Sequence, residues 1–253
     1  MAHHTSFCYT GTMFIIHIIT LFIFILTLAC VFHKSFVEML PVGISSLVLL
    51  LYVLSFGRHL GWIDGIAPLL LCGVVLYFFT RKGEQRKELL RQCIEILKDP
   101  STIAGIILLL LVVIGVSGKV VSWWDDYNFW ATDVKSIFYR NGFADKYANA
   151  APEFGDYPPG TQMMKWWFLH FSPGQFREGL LFAGYYVFNL SFLLPLLHYI
   201  RKKTPLSMTL GAILLWIFPT MTEVFWCDGG CADFSMAVVY GAFLGAVIDR
   251  EDV

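Results

Sequence analysis

Long runs of apolar residues, separated by short polar stretches, recur along all 253 residues of the chain. Seven of them approach the roughly 20 residues that a helix needs to cross a bilayer. They cover 12–32, 40–56, 66–80, 103–120, 179–200, 206–225 and 234–248. All seven are predicted to be helical, because in lipid only a helix satisfies its backbone within a single segment. The leader MAHHTSFCYTGT carries no Lys or Arg, and the run after it is longer than a signal-peptide core. It is therefore expected to stay as a span. The pattern predicts one all-α integral membrane domain over 1–253. A four-helix part over 1–121 is followed by a long loop over 122–178 and three further spans over 179–253.

Composition agrees. Hydrophobic residues make up 57% of the chain and charged ones 15%, with a mean hydropathy of +0.65. Soluble domains carry about 25% charged residues. This excludes a secreted disulfide scaffold and a disordered chain, and the net charge of -1 excludes a nucleic-acid binder. The few charges are sided. If the N-terminus lies outside, Lys34, the segment 81–98, Arg201-Lys202-Lys203 and Arg250 fall in the cytoplasm, which holds eleven of the 18 basic residues. The Lys/Arg bias thus predicts N-out, C-in. Within 84–98, Glu84/Glu88 and Lys87/Arg91 oppose Leu89, Leu90, Cys93, Ile94 and Leu97. That pattern predicts an amphipathic helix on the inner leaflet.

The loop 122–178 is too long to be a plain connection, and its five Trp argue against disorder. Two interfacial helices are predicted in it. In the first, Asp125 or Asp126 is placed as N-cap. Tyr127, Trp130, Ala131, Val134, Ile137 and Phe138 then share a face, and Asn141-Gly142 ends the helix. The second starts at Pro158-Pro159 and carries Met163, Met164, Trp166, Trp167, Leu169 and Phe171. Trp and Tyr at this density suit a membrane–water interface. Asp125 and Asp126, adjacent at the mouth of a span beside Trp123 and Trp124, leave two readings open. Mutual repulsion and desolvation raise a carboxyl pKa toward general-base use; alternatively, one Asp caps the helix and the other is solvated. Asp228 and Asp233, before the last run, either join them to bind a cation or sugar or simply cap the seventh span.

Taken in order, Trp124-Asp125-Asp126-Tyr127-Asn128-Phe129-Trp130, Asp156-Tyr157-Pro158-Pro159-Gly160 and Cys231-Ala232-Asp233-Phe234 resemble the outer loops of multi-spanning GT-C glycosyltransferases. The likeness is to bacterial members of uncharacterised specificity and covers about 120–240. It implies a GT-C-like fold and a polyprenyl-phosphate sugar donor, with an acceptor at the outer face. It further implies Asp125 as general base, with inversion at the anomeric carbon, and Asp126 orienting the acceptor or helping to hold a divalent cation. Tyr157 and the Pro158-Pro159 pair would fix the loop that walls the donor pocket. Lys165 and Lys135 are the preferred cations for the leaving phosphate, ahead of Arg140 and Arg177. His170, near Trp166 and Trp167, is a further substrate contact. The chain departs from the family in placing four spans before the loop and ending after seven. The alternatives are a non-catalytic lipid-binding or scaffold protein, or a truncated inactive transferase.

Other residues carry less. Cys227 and Cys231, at C-x3-C spacing, can form a disulfide only if Gly229-Gly230 turns tightly, and a zinc site there lacks a second ligand pair. Cys8, Cys30, Cys72 and Cys93 read as apolar filler. His17 and His198, in or at the end of spans, are expected to be neutral and hydrogen-bonded rather than functional.

Overall fold

A computed structural model describes residues 2–143, 159–172, 174–221 and 230–251, with side chains over 13–143, 159–172, 174–217 and 230–248. The regular elements among them are all helical. The first three, α1 (Ala2–Phe32), α2 (Phe36–Phe56) and α3 (Ile63–Thr80), run up, down and up. Ser35 fixes the start of α2 through a capping box: its hydroxyl accepts from the Glu38 N–H, and the Glu38 carboxylate accepts from the Ser35 N–H at 2.8 Å. The helix therefore begins four residues before the expected 40, and Pro41 is accommodated inside it. A 3-10 turn over Leu60–Trp62 leads into α3, which starts at Ile63 rather than 66. Asp64 consequently sits in the first turn of α3, where the helix dipole favours an acid. His17 bonds to Asp64, and the Thr20 hydroxyl donates to the Ala67 carbonyl. That constant offset makes α1 and α3 parallel neighbours.

The amphipathic helix expected at 84–98 is present as α4 (Gly83–Lys98), with no buried residue. A bend of 62° separates it from α5 (Pro100–Gly115). Pro100 stands at the first position of α5, and the Asp99 side chain caps it by accepting from the Ser101 N–H. Cys30 and Cys93 lie 3.4 Å apart, so α4 rests near the end of α1. These two cysteines are a contact between elements rather than scattered filler. Lys203 donates to Asp99 at 3.2 Å and His198 lies 3.5 Å from Glu38. The basic segments 34–35, 81–99 and 200–204 thereby gather at one end of the bundle.

At the opposite end a π-helical turn, Asp126–Trp130, runs into α6 (Ala131–Arg140). No side chain caps it. Asn141 ends α6 in the left-handed conformation at φ 60°, as its Asn-Gly pair predicts. Ala131, Val134 and Ile137 are buried as expected, but Tyr127 is exposed. The wider π turn takes up an extra residue and rotates Tyr127 off the helical face.

The second loop helix, α7 (Gly160–Leu169), departs furthest from expectation. Instead of lying at an interface it is buried from Thr161 to Leu169, packed on α8 (Glu178–Leu193) and flanked by α2 and α6. Gly184 permits this approach, since a Cβ there would lie 2.6 Å from the Lys165 Cα. Trp166, Trp167, Phe182, Tyr185 and Tyr186 form the centre of the core. A 3-10 turn over Leu194–Tyr199 continues α8, and α9 (Pro205–Met221) and α10 (Ala232–Glu251) complete the chain.

Met13–Phe32, Phe36–Phe56, Leu60–Thr80 and Glu178–Tyr199 are long and apolar enough to cross a membrane, and α4 with α5 makes a fifth if the bent pair is one span. Where side chains are described, α9 and α10 contribute the shorter apolar stretches Pro205–Ile217 and Ala232–Ile248, and α5 alone has 16 residues, ending at Gly115 rather than 120. Leu49, Val53, Phe56, Leu69, Leu76, Phe79, Leu111 and Ile114 are all exposed on the outside of the bundle. Water would not tolerate so broad an apolar surface, whereas lipid requires one.

Candidate functional site

Three separate stretches of chain meet around the side chain of Lys165. The residue projects from α7 and is completely buried. Its ammonium donates to the Gly230 carbonyl at 2.7 Å and faces the rings of Tyr185 at 5.2 Å and Trp130 at 5.9 Å. Asp126 opens the π turn and is 1% exposed. Its carboxylate accepts from the Gly230 N–H at 3.0 and 3.1 Å. One acid and one base therefore grip the two polar groups of a single backbone residue, about a hundred positions from Asp126 in sequence. The room is tight: a Cβ on Gly230 would lie 2.8 Å from the Lys165 Nζ and 3.1 Å from an Asp126 oxygen.

Further acids surround this clamp. Asp133, in the first turn of α6, faces Lys165, and Asp125 is exposed beside Asp126. Asp233 is exposed at the start of α10 and accepts from the Cys231 thiol at 2.6 Å. The Tyr185 hydroxyl donates to the Cys231 carbonyl at 2.9 Å. Lys119, half-buried at the end of the turn after α5, adds a second positive charge near Asp126 and lies over the Phe182 ring at 4.9 Å.

Burial sets the electrostatics. Desolvation pushes the Lys165 ammonium down to about 8, against the upward pull of Asp126 and then Asp133. Asp126 is raised above the usual carboxylate range by burial, opposed by Lys165 and by the Gly230 N–H. Burial raises Asp133 as well, again opposed by Lys165. The Cys231 thiol is pushed up to about 11, first by burial and then by its bond to Asp233. Chemically, the arrangement is a locked internal cation with a buried carboxylate, Asp126, and a half-buried one, Asp133, flanked by two outer carboxylates, Asp125 and Asp233, open to solvent.

The sequence-derived candidates separate accordingly. Asp125, Asp126, Lys165 and Asp233 come together. Neither Asp125 nor Asp126 caps a helix with its side chain, because Asp126 is committed to Gly230. Lys135 is exposed, with its ammonium over the Phe176 ring at 5.6 Å, on another side of α6 from Asp133. Asp156, Tyr157 and Asp228 lie outside the described residues, as does Cys227, while Cys231 is a free thiol.

His170 belongs to a different group. Its Nε2 lies 2.9 Å from the Asp64 Oδ1, and the His17 Nε2 lies 3.0 Å from the same oxygen. His17 is thus hydrogen-bonded, as expected, but to a carboxylate that the sequence reading passed over. Asp133, Lys119, Gly230 and Asp64 were all missed. The signal for Asp64 was its place at the head of an apolar run. Lys119 was hidden by a span boundary drawn five residues late.

Fold and site define an all-helical protein with several helices fit to cross a membrane and an internal lysine–aspartate centre at one end of its bundle. Comparison with protein-family models, curated proteins and solved structures finds no match.

Proposed function

We propose that the protein is a membrane glycosyltransferase that takes a sugar from a polyprenyl phosphate at the end of the bundle holding Asp125, Asp126 and Asp233. The observation that carries this reading is the gathering of acids from two distant stretches at one place: Asp126 and Asp133 around Lys165, and Asp125 and Asp233 around Cys231 on the segment that Lys165 and Asp126 hold, beside an apolar surface suited to lipid. Asp125 is the accessible carboxylate of the adjacent pair and acts as general base. It takes the proton of the acceptor hydroxyl as that oxygen bonds to the anomeric carbon. The bond from that carbon to phosphate oxygen breaks, and polyprenyl phosphate leaves with the electron pair. Asp126 and Lys165 are enclosed, so they act as positioning residues that hold the 230–233 segment against Asp125. Lys165 is therefore not the phosphate contact; Lys119, half-buried and near Asp126, takes that role.

In this reading all seven apolar runs cross the membrane and the acidic end faces outward, with the basic segments 81–98 and 201–203 in the cytoplasm. The test is sugar transfer in proteoliposomes supplied with polyprenyl-phosphate sugar. Asp125→Asn is expected to lower transfer by about 10²–10⁴-fold, while the variant inserts and unfolds like the parent. Undiminished transfer by that variant removes Asp125 as base.

The complete enclosure of Lys165 favours a second reading, a non-catalytic lipid-binding or scaffold protein in which the clamp is purely structural. Under it, the double variant Asp125→Ala/Asp126→Asn retains co-purified lipid, and the parent shows no turnover with any polyprenyl-phosphate sugar.

A further inference from the structure

A second polar cluster lies elsewhere, built by α1, α3 and the end of α7. His17 is 2% exposed, Asp64 sits in the first turn of α3, and His170 follows the last residue of α7. Both imidazoles turn the same nitrogen, Nε2, toward one Asp64 oxygen, at 3.0 and 2.9 Å, and the three ligand atoms all lie within 4.8 Å of one another. Metal bonds of about 2.1 Å meeting at the tetrahedral angle place neighbouring ligand atoms about 3.4 Å apart, so the two His–Asp edges, now at hydrogen-bond length, need to open by only about half an ångström to admit an ion.

The surroundings are those of a site open on one side. His17 is sealed, with the Trp167 ring at 6.3 Å and Phe171 at 5.2 Å, while Trp166 stacks on His170 at 4.8 Å. The side chains of Asp64 and His170 keep 28% and 20% of their surface accessible. Aromatic walls lower the local dielectric and strengthen binding of a cation to the carboxylate. The helices fix the three donors independently, since α1 and α3 are held in register by the Thr20–Ala67 bond and α7 is locked in the core.

We propose that His17, Asp64 and His170 bind a divalent first-row transition ion of the zinc class, with the accessible side left for water or a ligand. Two imidazoles and one carboxylate are the donor set for such an ion, whereas Mg2+ and Ca2+ favour all-oxygen sites. Three protein ligands with an open position also distinguish it from a closed structural zinc site. The site is separate from the Lys165 clamp, five residues and about 7.5 Å of helical rise along α7, and it does not depend on the transferase reading.

The test uses the full-length protein purified in detergent without a histidine tag, stripped with chelator and titrated with Zn2+ alone. Metal content is read by mass spectrometry and, with Co2+ as substitute, by the visible absorption of the bound ion. Retention of one Zn2+ per chain is expected. Asp64→Asn and, at the partly exposed ring, His170→Ala should weaken binding about tenfold or more and abolish the Co2+ band. His3→Ala/His4→Ala should leave both unchanged. Failure of the folded parent to retain Zn2+, or equal retention by the Asp64 and His170 variants, overturns the proposal. The trio would then be a hydrogen-bonded staple between α1, α3 and α7.

Discussion

Lys165 and Asp126 are each costly to bury, and each is tolerated because the Gly230 peptide and the opposite charge answer it. Removing one member leaves the other uncompensated. Lys165→Met is expected to lower stability by about 3–5 kcal/mol, read as a fall in the thermal midpoint in detergent. The lysine also leaves a pH signature. Its folded-state pKa is depressed to about 8 from 10.5, so between these values the unfolded chain holds a proton that the folded chain has lost. Stability therefore rises with pH across that window and is flat in this respect below it. Thermal midpoints measured from pH 7 to 10.5 should show that rise in the parent and lack it in Lys165→Met. Asp126 stood out in the sequence because paired acids beside Trp are unusual. Nothing in the sequence separated its buried role from the exposed one of Asp125, because neighbouring residues on a turn point in different directions.

Among the elements, α7 shows how composition misleads. Met163, Met164, Trp166 and Trp167 suit a membrane interface and a protein core equally, since both reward large side chains with apolar bodies. The boundaries were legible, with Pro159 before the helix and Ser172-Pro173-Gly174 after it, but the burial was not. What decides it is partly the small residue on the partner helix. Gly184 lets the α7 backbone approach α8, and a methyl group there would meet the Lys165 Cα and the Met164 carbonyl, both at 2.6 Å. Gly184→Ala is expected to cost about 1–3 kcal/mol by forcing the two helices apart. It should also unseat Lys165, so that the pH-dependent rise above pH 8 shrinks along with the thermal midpoint. The start of α2 is the opposite case. Ser35 and Glu38 are a local capping signal, readable without any tertiary contact, and the pattern of apolar positions alone placed that boundary too late.

At the scale of the whole molecule, the charge sidedness read from the chain reappears as two ends of a bundle, one gathering the basic segments and the other the Lys165 clamp. The proposed orientation predicts that trypsin added outside right-side-out vesicles leaves the bonds after Arg81, Lys82, Arg86, Lys87 and Arg91 intact, and that lysis exposes them. Cleavage at these bonds before lysis would invert the topology and put the acidic site in the cytoplasm. The sequence by itself determined the helical class, the approximate apolar runs, the amphipathic α4 and the siding of charge, because all of these follow from the period and composition of contiguous residues. Tertiary structure alone decided which acid is inside, that Lys165 is enclosed and that Asp64 joins two histidines. Those outcomes depend on where residues 47 to 106 positions apart are brought by packing, and no local pattern carries that information.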